Sequence, residues 1–261
     1  MKFFDCYAHL GLISSDHIER FRVVQEAKHA GLTHIINVSN NLQEFETFYE
    51  SAKLLPQIYY AVGFAPSEAH TLPNNWQLQL EKTFSLNNVL CLGAIGLDYS
   101  NNISTANKMK QIELFVKQLE IARRLNKPAI IYNRNASQDI KNILRENAPQ
   151  AGIIFHCYSE TAYYATQILK DFSVPTFFAF AGNLTFRNSR DLHRTVLKLP
   201  LENILVESVS PFMPPALFNG TRNVPANIFA TVEFISELLN EDFERVGAQL
   251  YKNALRAFGL S

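Results

Sequence analysis

Short apolar segments alternate with amphipathic segments along the whole chain, and this alternation predicts eight strand–helix units. The apolar segments are rich in β-branched and aromatic residues, which favour extended backbone. They occupy residues 2–7, 33–38, 58–63, 89–95, 128–132, 152–156, 175–181 and 203–207. We therefore expect eight short strands, each followed by a helix.

The amphipathic segments between the strands carry helix signals. One is predicted to begin after an N-cap at Asp16 and to end at Gly31. The segment 105–126 places apolar residues three and four positions apart, the spacing of one helix face. The last helix, within 238–260, is predicted to end the chain at Gly259.

Eight strand–helix units with short connections and no Gly/Ser linker predict one α/β domain over 1–261, a closed (β/α)8 TIM-type barrel. Strands that are apolar along nearly their whole length fit a parallel sheet covered by helices. The alternative is a two-domain doubly wound fold. No G-x-G-x-x-G or P-loop sequence follows any strand candidate, so we favour the barrel.

Composition narrows the function classes. Lys+Arg and Asp+Glu both number 24, and the sequence pI of about 7.1 argues against a strongly basic nucleic-acid binder. Three widely spaced cysteines form neither a disulfide framework nor a zinc-finger pattern. The N-terminus lacks the apolar core of a signal peptide, and no apolar run approaches the roughly 18 residues of a membrane span. We expect a soluble cytoplasmic protein in a reducing compartment.

In a (β/α)8 barrel, catalytic and binding side chains stand at the carboxyl ends of the strands. Alternation along the first strand predicts that Asp5, Tyr7 and His9 share one face. Cys6 and Ala8 would share the other. The later strand candidates end on polar or small residues: Asn37, Ala65, Ala94, Asp98, Tyr132, Arg134, His156, Glu207 and Val209.

The order of these segments resembles that of TatD-type metal-dependent hydrolases, barrel enzymes of the amidohydrolase type associated with deoxyribonuclease activity. The similarity spans nearly the whole chain. It rests on FDCYAHL (4–10), VGFAP (62–66), LGAIGLDY (92–99), KPAIIYNRNA (127–136), GIIFHCYS (152–159), LTF with LPLENILVESVSP (184–211) and NGTRNVPAN (219–227). This resemblance implies the same barrel fold.

The resemblance also implies a two-metal site held by a His-x-His pair, a bridging Glu, two further His and an Asp. In this chain the six positions fall, in that order, on Tyr7, His9, Ala94, Tyr132, His156 and Val209. A further family His is replaced by Ala65. Four of the six ligand positions have lost their ligand, which leaves two histidines as weak remnant ligands.

This loss is chemically severe. Two divalent cations about 3.5–4 Å apart need a bridging anion, and Ala94 has no donor atom. A catalytic zinc takes about three protein ligands and a water, whereas His9 and His156 supply two. We expect no cofactor, or at most one weakly bound divalent metal. Asp98 and Glu207 are the carboxylates that a single-metal or metal-free hydrolase would use.

Neighbouring groups offer little compensation. Cys6 and Cys157 have the softness of zinc ligands, yet alternation is expected to turn each away from the face of the nearby histidine. Asp5 shares the face of His9 but lies deeper in the barrel, where we expect it to support a ligand residue. The remnant histidines can equally be hydrogen-bonded groups packed with Tyr7 and Tyr132.

Basic residues near the mouth have two interpretations. Arg134 and Arg222, with Glu207, fit either a set of ion pairs that fastens loops or a clamp for a phosphate or other anion. The segment 186–194, with four basic side chains, fits either nucleic-acid phosphates or a solvated helix start. We favour the helix start, capped by Asn188 or Ser189.

The residues that replace the ligands are neutral, which removes the cost of burying uncompensated charges in the absence of metal. This pattern predicts a non-catalytic pseudoenzyme that binds a nucleotide, a nucleic-acid end or a protein partner, with no membrane contact. One alternative is an active phosphoester hydrolase of the deoxyribonuclease class, using one metal or none. Another is a structural subunit of a larger assembly.

Overall fold

The eight predicted strands form one parallel sheet in chain order, β1-β2-β3-β4-β5-β6-β7-β8. The structure, a computed structural model, describes residues 1–53, 55–101 and 103–260. The strands are β1 Phe3–Ala8, β2 Leu32–Ser39, β3 Ile58–Val62, β4 Val89–Asp98, β5 Ala129–Arg134, β6 Ile153–Phe155, β7 Thr176–Phe180 and β8 Ile204–Val206. The (β/α)8 prediction is confirmed. The largest boundary difference is at the end of β4, which runs through Asp98.

Helices cover the outside of the sheet and connect successive strands. They are α1 Leu10–Ile13, α2 His17–His29, α3 Leu42–Ala52, α4 Trp76–Thr83, α5 Thr105–Arg124, α6 Ser137–Asn147, α7 Ala162–Asp171, α8 Arg190–Lys198, α9 Ile228–Leu239 and α10 Phe243–Phe258. Asp16 caps α2 by accepting from the Ile18 amide at 2.9 Å, as its sequence position predicts. Gly259 ends α10 in a left-handed conformation at φ +67°.

The barrel closes where the chain leaves β8 and runs beside β1. The Val209 amide donates to the Tyr7 carbonyl at 2.9 Å, and the His9 amide donates to the Ser210 carbonyl at 2.8 Å. Inside the barrel, buried side chains form a separate cluster that α10 covers at one end through Ala254. The opposite end, where the strands terminate, is the mouth.

Strand β1 departs from regular alternation, so the expectation that Cys6 shares a face with Ala8 is wrong. Its pairing with β2 shifts between Asp5, opposite Ile35, and Ala8, opposite Asn37. Three steps along β1 therefore match two along β2, and Cys6 and Tyr7 both pack in the inner cluster. Ala8 packs in the outer layer against the helices.

Across the described ranges, we find no helix with the length and apolar character needed to cross a membrane.

Candidate functional site at the barrel mouth

Tyr7, His156 and Glu207 form a buried group at the mouth. The rings of Tyr7 and His156 are stacked, with centroids 3.6 Å apart and an interplanar angle of 16°. His156 Nδ1 lies 2.9 Å from Glu207 Oε1 and 3.0 Å from Oε2. The Cys157 amide donates to the same carboxylate at 2.7 Å. Glu207 is thus a fully buried acceptor that positions the His156 ring.

Cys157 does not face away from this group as alternation predicted. Strand β6 ends at Phe155, and Cys157 has a left-handed backbone at φ +43°, so the strand period no longer applies to it. Its side chain packs against the inner cluster. Burial raises the pKa of the Cys157 thiol to about 12, which keeps it protonated at neutral pH.

His9 lies beside the stack, its ring edge-on to Tyr7 with centroids 5.1 Å apart. Its Nδ1 is 3.0 Å from the Val38 carbonyl oxygen. A carbonyl can only accept, so Nδ1 carries the hydrogen and Nε2 has a free lone pair. Burial, followed by the neighbouring His156, lowers the pKa of His9 to about 4, so the ring is neutral at pH 7.

Asp5 lies below the mouth and is completely buried. Its Oδ1 accepts from the Ser208 amide at 2.8 Å and from the Tyr7 amide at 3.2 Å, which ties β1 to the segment after β8. Its Oδ2 is buried without a hydrogen-bond partner among the described residues. Burial raises the pKa of Asp5 to about 7 against these hydrogen bonds.

A cavity of about 180 Å³ lies on the β4–β5 side of the mouth. Ala65 and Ala94 line it, together with Asp98 and Tyr132. The Tyr132 hydroxyl donates to Asp98 Oδ2 at 3.4 Å. Arg134 NH1 is 4.0 Å from the same oxygen, and both charged side chains are partly exposed. Asp98 therefore belongs to a phenol–carboxylate–guanidinium group apart from Glu207.

Arg222 and the basic segment 186–194 do not belong to the group formed by Asp98, Tyr132 and Arg134. Arg222 donates to the Ile13 carbonyl at 2.7 Å and pairs with Glu19, so it fastens the loop before α2. In the segment 186–194, α8 begins at Arg190 after an N-cap at Ser189. The Ser189 hydroxyl donates to the Asn183 carbonyl instead of capping the helix.

Val209, which follows β8, has a left-handed backbone at φ +56°. A β-branched residue is unfavourable in this region by roughly 1–2 kcal/mol. The hydrogen bond from its amide to the Tyr7 carbonyl and the burial of its side chain hold the strained conformation in place. The backbone therefore keeps a turn that suits Asp, Asn or Gly, although the side chain is apolar.

Because of this strain, the glycine variant at position 209 is predicted to be more stable than the alanine variant, the reverse of the order expected within a strand. We expect Val209→Gly to be more stable than Val209→Ala by about 1 kcal/mol, because glycine adopts positive φ without penalty. Urea unfolding of both variants measures the difference. At Val206, a buried β8 residue that serves as the matched control, the alanine variant should be the more stable of the pair. An alanine variant more stable than glycine at position 209 would contradict the strain.

A larger cavity of about 410 Å³ lies at the β1–β2 side of the mouth, against α1 and α3. His9, Asn37 and Ser39 reach it from the strands, and Gly11 and Phe48 reach it from the helices. Sequence reasoning placed Asn37 at a strand end but assigned it no role, and it missed Ser39. The available signal was two polar residues in alternate positions at the end of the strand, "IINVS".

The family model for TatD-related DNases matches residues 4–259 of the chain. The chain belongs to this family. The uncharacterized metal-dependent hydrolase YabD of Bacillus subtilis is 29% identical and is aligned over 99% of both chains. The uncharacterized metal-dependent hydrolase TatD of Mycobacterium tuberculosis is 28% identical, over 98% of this chain and 97% of its own.

Solved structures of the TatD family have the same fold. The TatD homologue YjjV of Escherichia coli superposes with a TM-score of 0.88 at 23% identity, covering 99% of this chain and 98% of its own. A TatD-family hydrolase of Entamoeba histolytica gives a TM-score of 0.84 at 18% identity, covering 100% and 99%. These likenesses establish that the TatD barrel is conserved in shape at low sequence identity.

Proposed function

We propose that this TatD-family barrel does not perform two-metal hydrolysis and instead binds a ligand through its mouth. The stack of Tyr7 on His156 carries the proposal. A phenol ring covers one face of the retained histidine at 3.6 Å, and a carboxylate holds its Nδ1. Protein groups thus cover one face of the histidine ring and hold its Nδ1.

The donor set does not fit a two-metal centre. Ala94 supplies no bridging anion, and within residues 1–53, 55–101 and 103–260 no three His, Cys, Asp or Glu side chains are grouped to hold a metal ion. His9 and His156 share no carboxylate. Similarity to relatives named metal-dependent hydrolases is therefore not sufficient to assign two-metal hydrolysis to this chain.

Metal-free or single-metal phosphoester hydrolysis is the second candidate. The His156–Glu207 pair favours it, because a carboxylate that orients an imidazole is the arrangement of many general bases. The burial of His156 beneath Tyr7 weighs against it, since a general base must reach a substrate or a water.

Hydrolysis of labelled single-stranded DNA with added Mg²⁺, Mn²⁺ or Zn²⁺ tests the proposal. We expect no turnover above buffer with any metal, and no shift of the melting temperature after chelation, because a protein without a bound metal gains no stability from one. Metal content of protein purified without chelator is measured in parallel.

Two histidine variants separate true activity from contamination. His156→Ala removes the mouth histidine, and His193→Ala is the matched control on α8, where the ring bonds to the Leu184 carbonyl. Metal-dependent cleavage by the wild type and by His193→Ala, but not by His156→Ala, would overturn the proposal.

A further inference from the structure

The 410 Å³ cavity at the β1–β2 side of the mouth has the size of a small-molecule site. It shares no lining residue with the smaller cavity beside Ala94. Its lining is mixed: Phe48 is apolar, and Asn37, Ser39 and His9 are among its polar side chains. A mixed lining of this kind suits a ligand that has an apolar body and hydrogen-bonding groups.

The three polar side chains are at least nine-tenths buried, yet each keeps an atom for the cavity. Asn37 Oδ1 accepts from the Leu10 amide at 2.8 Å, which leaves its Nδ2 as a donor. The His9 Nδ1–H donates to the Val38 carbonyl, which leaves Nε2 as an acceptor. The hydroxyl of Ser39 makes no hydrogen bond to any described side chain or backbone group.

These free groups lie side by side. His9 and Leu10 follow one another directly after β1, and they bond to Val38 and Asn37, which follow one another along β2. Neither Asn37 Nδ2 nor His9 Nε2 is among the described polar atoms that are fully buried without a partner, so both are accessible from the cavity that their residues line. An acceptor beside a donor is matched by a ligand that offers a donor beside an acceptor.

The charged side chains that line the cavity already have partners within the protein. Arg20 donates to the Ser14 carbonyl at 2.6 Å and lies over the Phe48 ring. Glu44 accepts from the Asn40 amide at 2.8 Å. One cation and one anion on the lining, each with a protein partner, favour a neutral ligand over a phosphate dianion.

We propose that this cavity binds a neutral nucleoside through the lactam edge of its base, the N–H adjoining a C=O. His9 Nε2 accepts from the ring N–H, Asn37 Nδ2 donates to the carbonyl, and the Ser39 hydroxyl bonds to a further polar group. The inference rests on the proposed binding function and names its ligand class. Uridine and inosine both offer this edge, whereas 3-methyluridine carries a methyl group in place of the N–H.

Calorimetric titration of the full chain with uridine, inosine and 3-methyluridine tests the edge. We expect both unmodified nucleosides to bind, and 3-methyluridine to bind at least about tenfold more weakly because His9 loses its donor. Uridine 5′-monophosphate should bind no more tightly than uridine. Equal binding of uridine and 3-methyluridine, tighter binding of the phosphate, or no binding of uridine at millimolar concentration would overturn the inference.

Position 11 lines the cavity and has room for a Cβ. A Cβ built at Gly11 meets Phe48 at 3.5 Å, an ordinary van der Waals distance. Gly11→Leu should abolish uridine binding, and Gly11→Ala should retain it. Ser39→Ala should weaken binding about fivefold, with Ser67→Ala, an exposed residue on the smaller cavity, as its matched control. Wild-type affinity in Gly11→Leu would place the ligand elsewhere and refute the site.

The DNA assay on the same preparations keeps the two proposals apart. Hydrolysis of DNA by the wild type, lost in His156→Ala, refutes the non-catalytic function whatever uridine does. Absence of hydrolysis together with absence of uridine binding refutes only the nucleoside inference.

Discussion

Replacement of Glu207 by alanine is expected to lower the free energy of unfolding by about 3–5 kcal/mol. The carboxylate is fully buried and accepts from His156 Nδ1 and from the Cys157 amide. Removing it leaves two buried donors without partners and a cavity where the side chain stood. Urea unfolding at neutral pH, followed by circular dichroism, measures the loss.

Two further glutamate variants define the cause. Glu207→Gln keeps one acceptor oxygen for the Cys157 amide, so we expect a loss of only about 1 kcal/mol. Glu202→Ala, an exposed glutamate at the other end of β8, should change stability by less than about 0.5 kcal/mol. A Glu207→Ala variant as stable as Glu202→Ala would show that the buried carboxylate does not organise the mouth.

Opposite pH dependences are the second large effect, expected from Asp5→Asn and His9→Asn. In the native state the pKa of Asp5 is raised to about 7 from 3.8, so between these values the folded protein binds the proton that the unfolded chain releases. This contribution to stability is full below pH 4 and declines as the pH rises to 7. Asp5→Asn does not titrate, so the difference in unfolding free energy between the variant and the wild type should shift in favour of the variant by up to about 4 kcal/mol as the pH rises from 4 to 7.

His9 has the opposite sign. Its pKa is lowered to about 4 from 6.5, so between these values the unfolded chain binds a proton that the folded ring does not. The corresponding stability is present above pH 6.5 and declines as the pH falls to 4. In His9→Asn the side-chain amide can still donate to the Val38 carbonyl, and the difference from wild type should shift in favour of the variant as the pH falls.

Unfolding free energies at half-unit steps from pH 4 to pH 8 measure both differences. Between pH 4 and 6.5 the two contributions oppose each other in the wild type, so each single variant exposes the slope of the other group. Parallel profiles for the two variants would contradict the assigned pKa directions. The double variant should return to a profile close to that of wild type between pH 4 and 6.5.

The fold followed closely from the sequence because its signals are local. Apolar strands such as 58–63 and capped helices such as the one after Asp16 show their period within a few residues. Eight repeats of strand and helix leave the parallel barrel as the arrangement that buries every apolar strand on both faces. The family motifs could be located for the same reason, because they lie at the ends of strands that are recognisable in the sequence.

The site followed only in part. That Tyr7, His9, His156 and Glu207 meet at one mouth could be expected from their places at strand ends. The β1 shift that turns Cys6 inward could not, since a bulge depends on pairing with β2 and leaves no period in the sequence.

By itself the sequence determined the barrel and the TatD family, because residue identity and local period suffice for these. The tertiary structure alone decided which groups bond to one another. The stacking of Tyr7 on His156, the hold of Glu207 on that ring and the free edge of Asn37 beside His9 arise between strands far apart in the chain. The physical reason is that hydrogen-bond partnership and burial are properties of three-dimensional neighbours, and these set the pKa values and the ligand chemistry of the mouth.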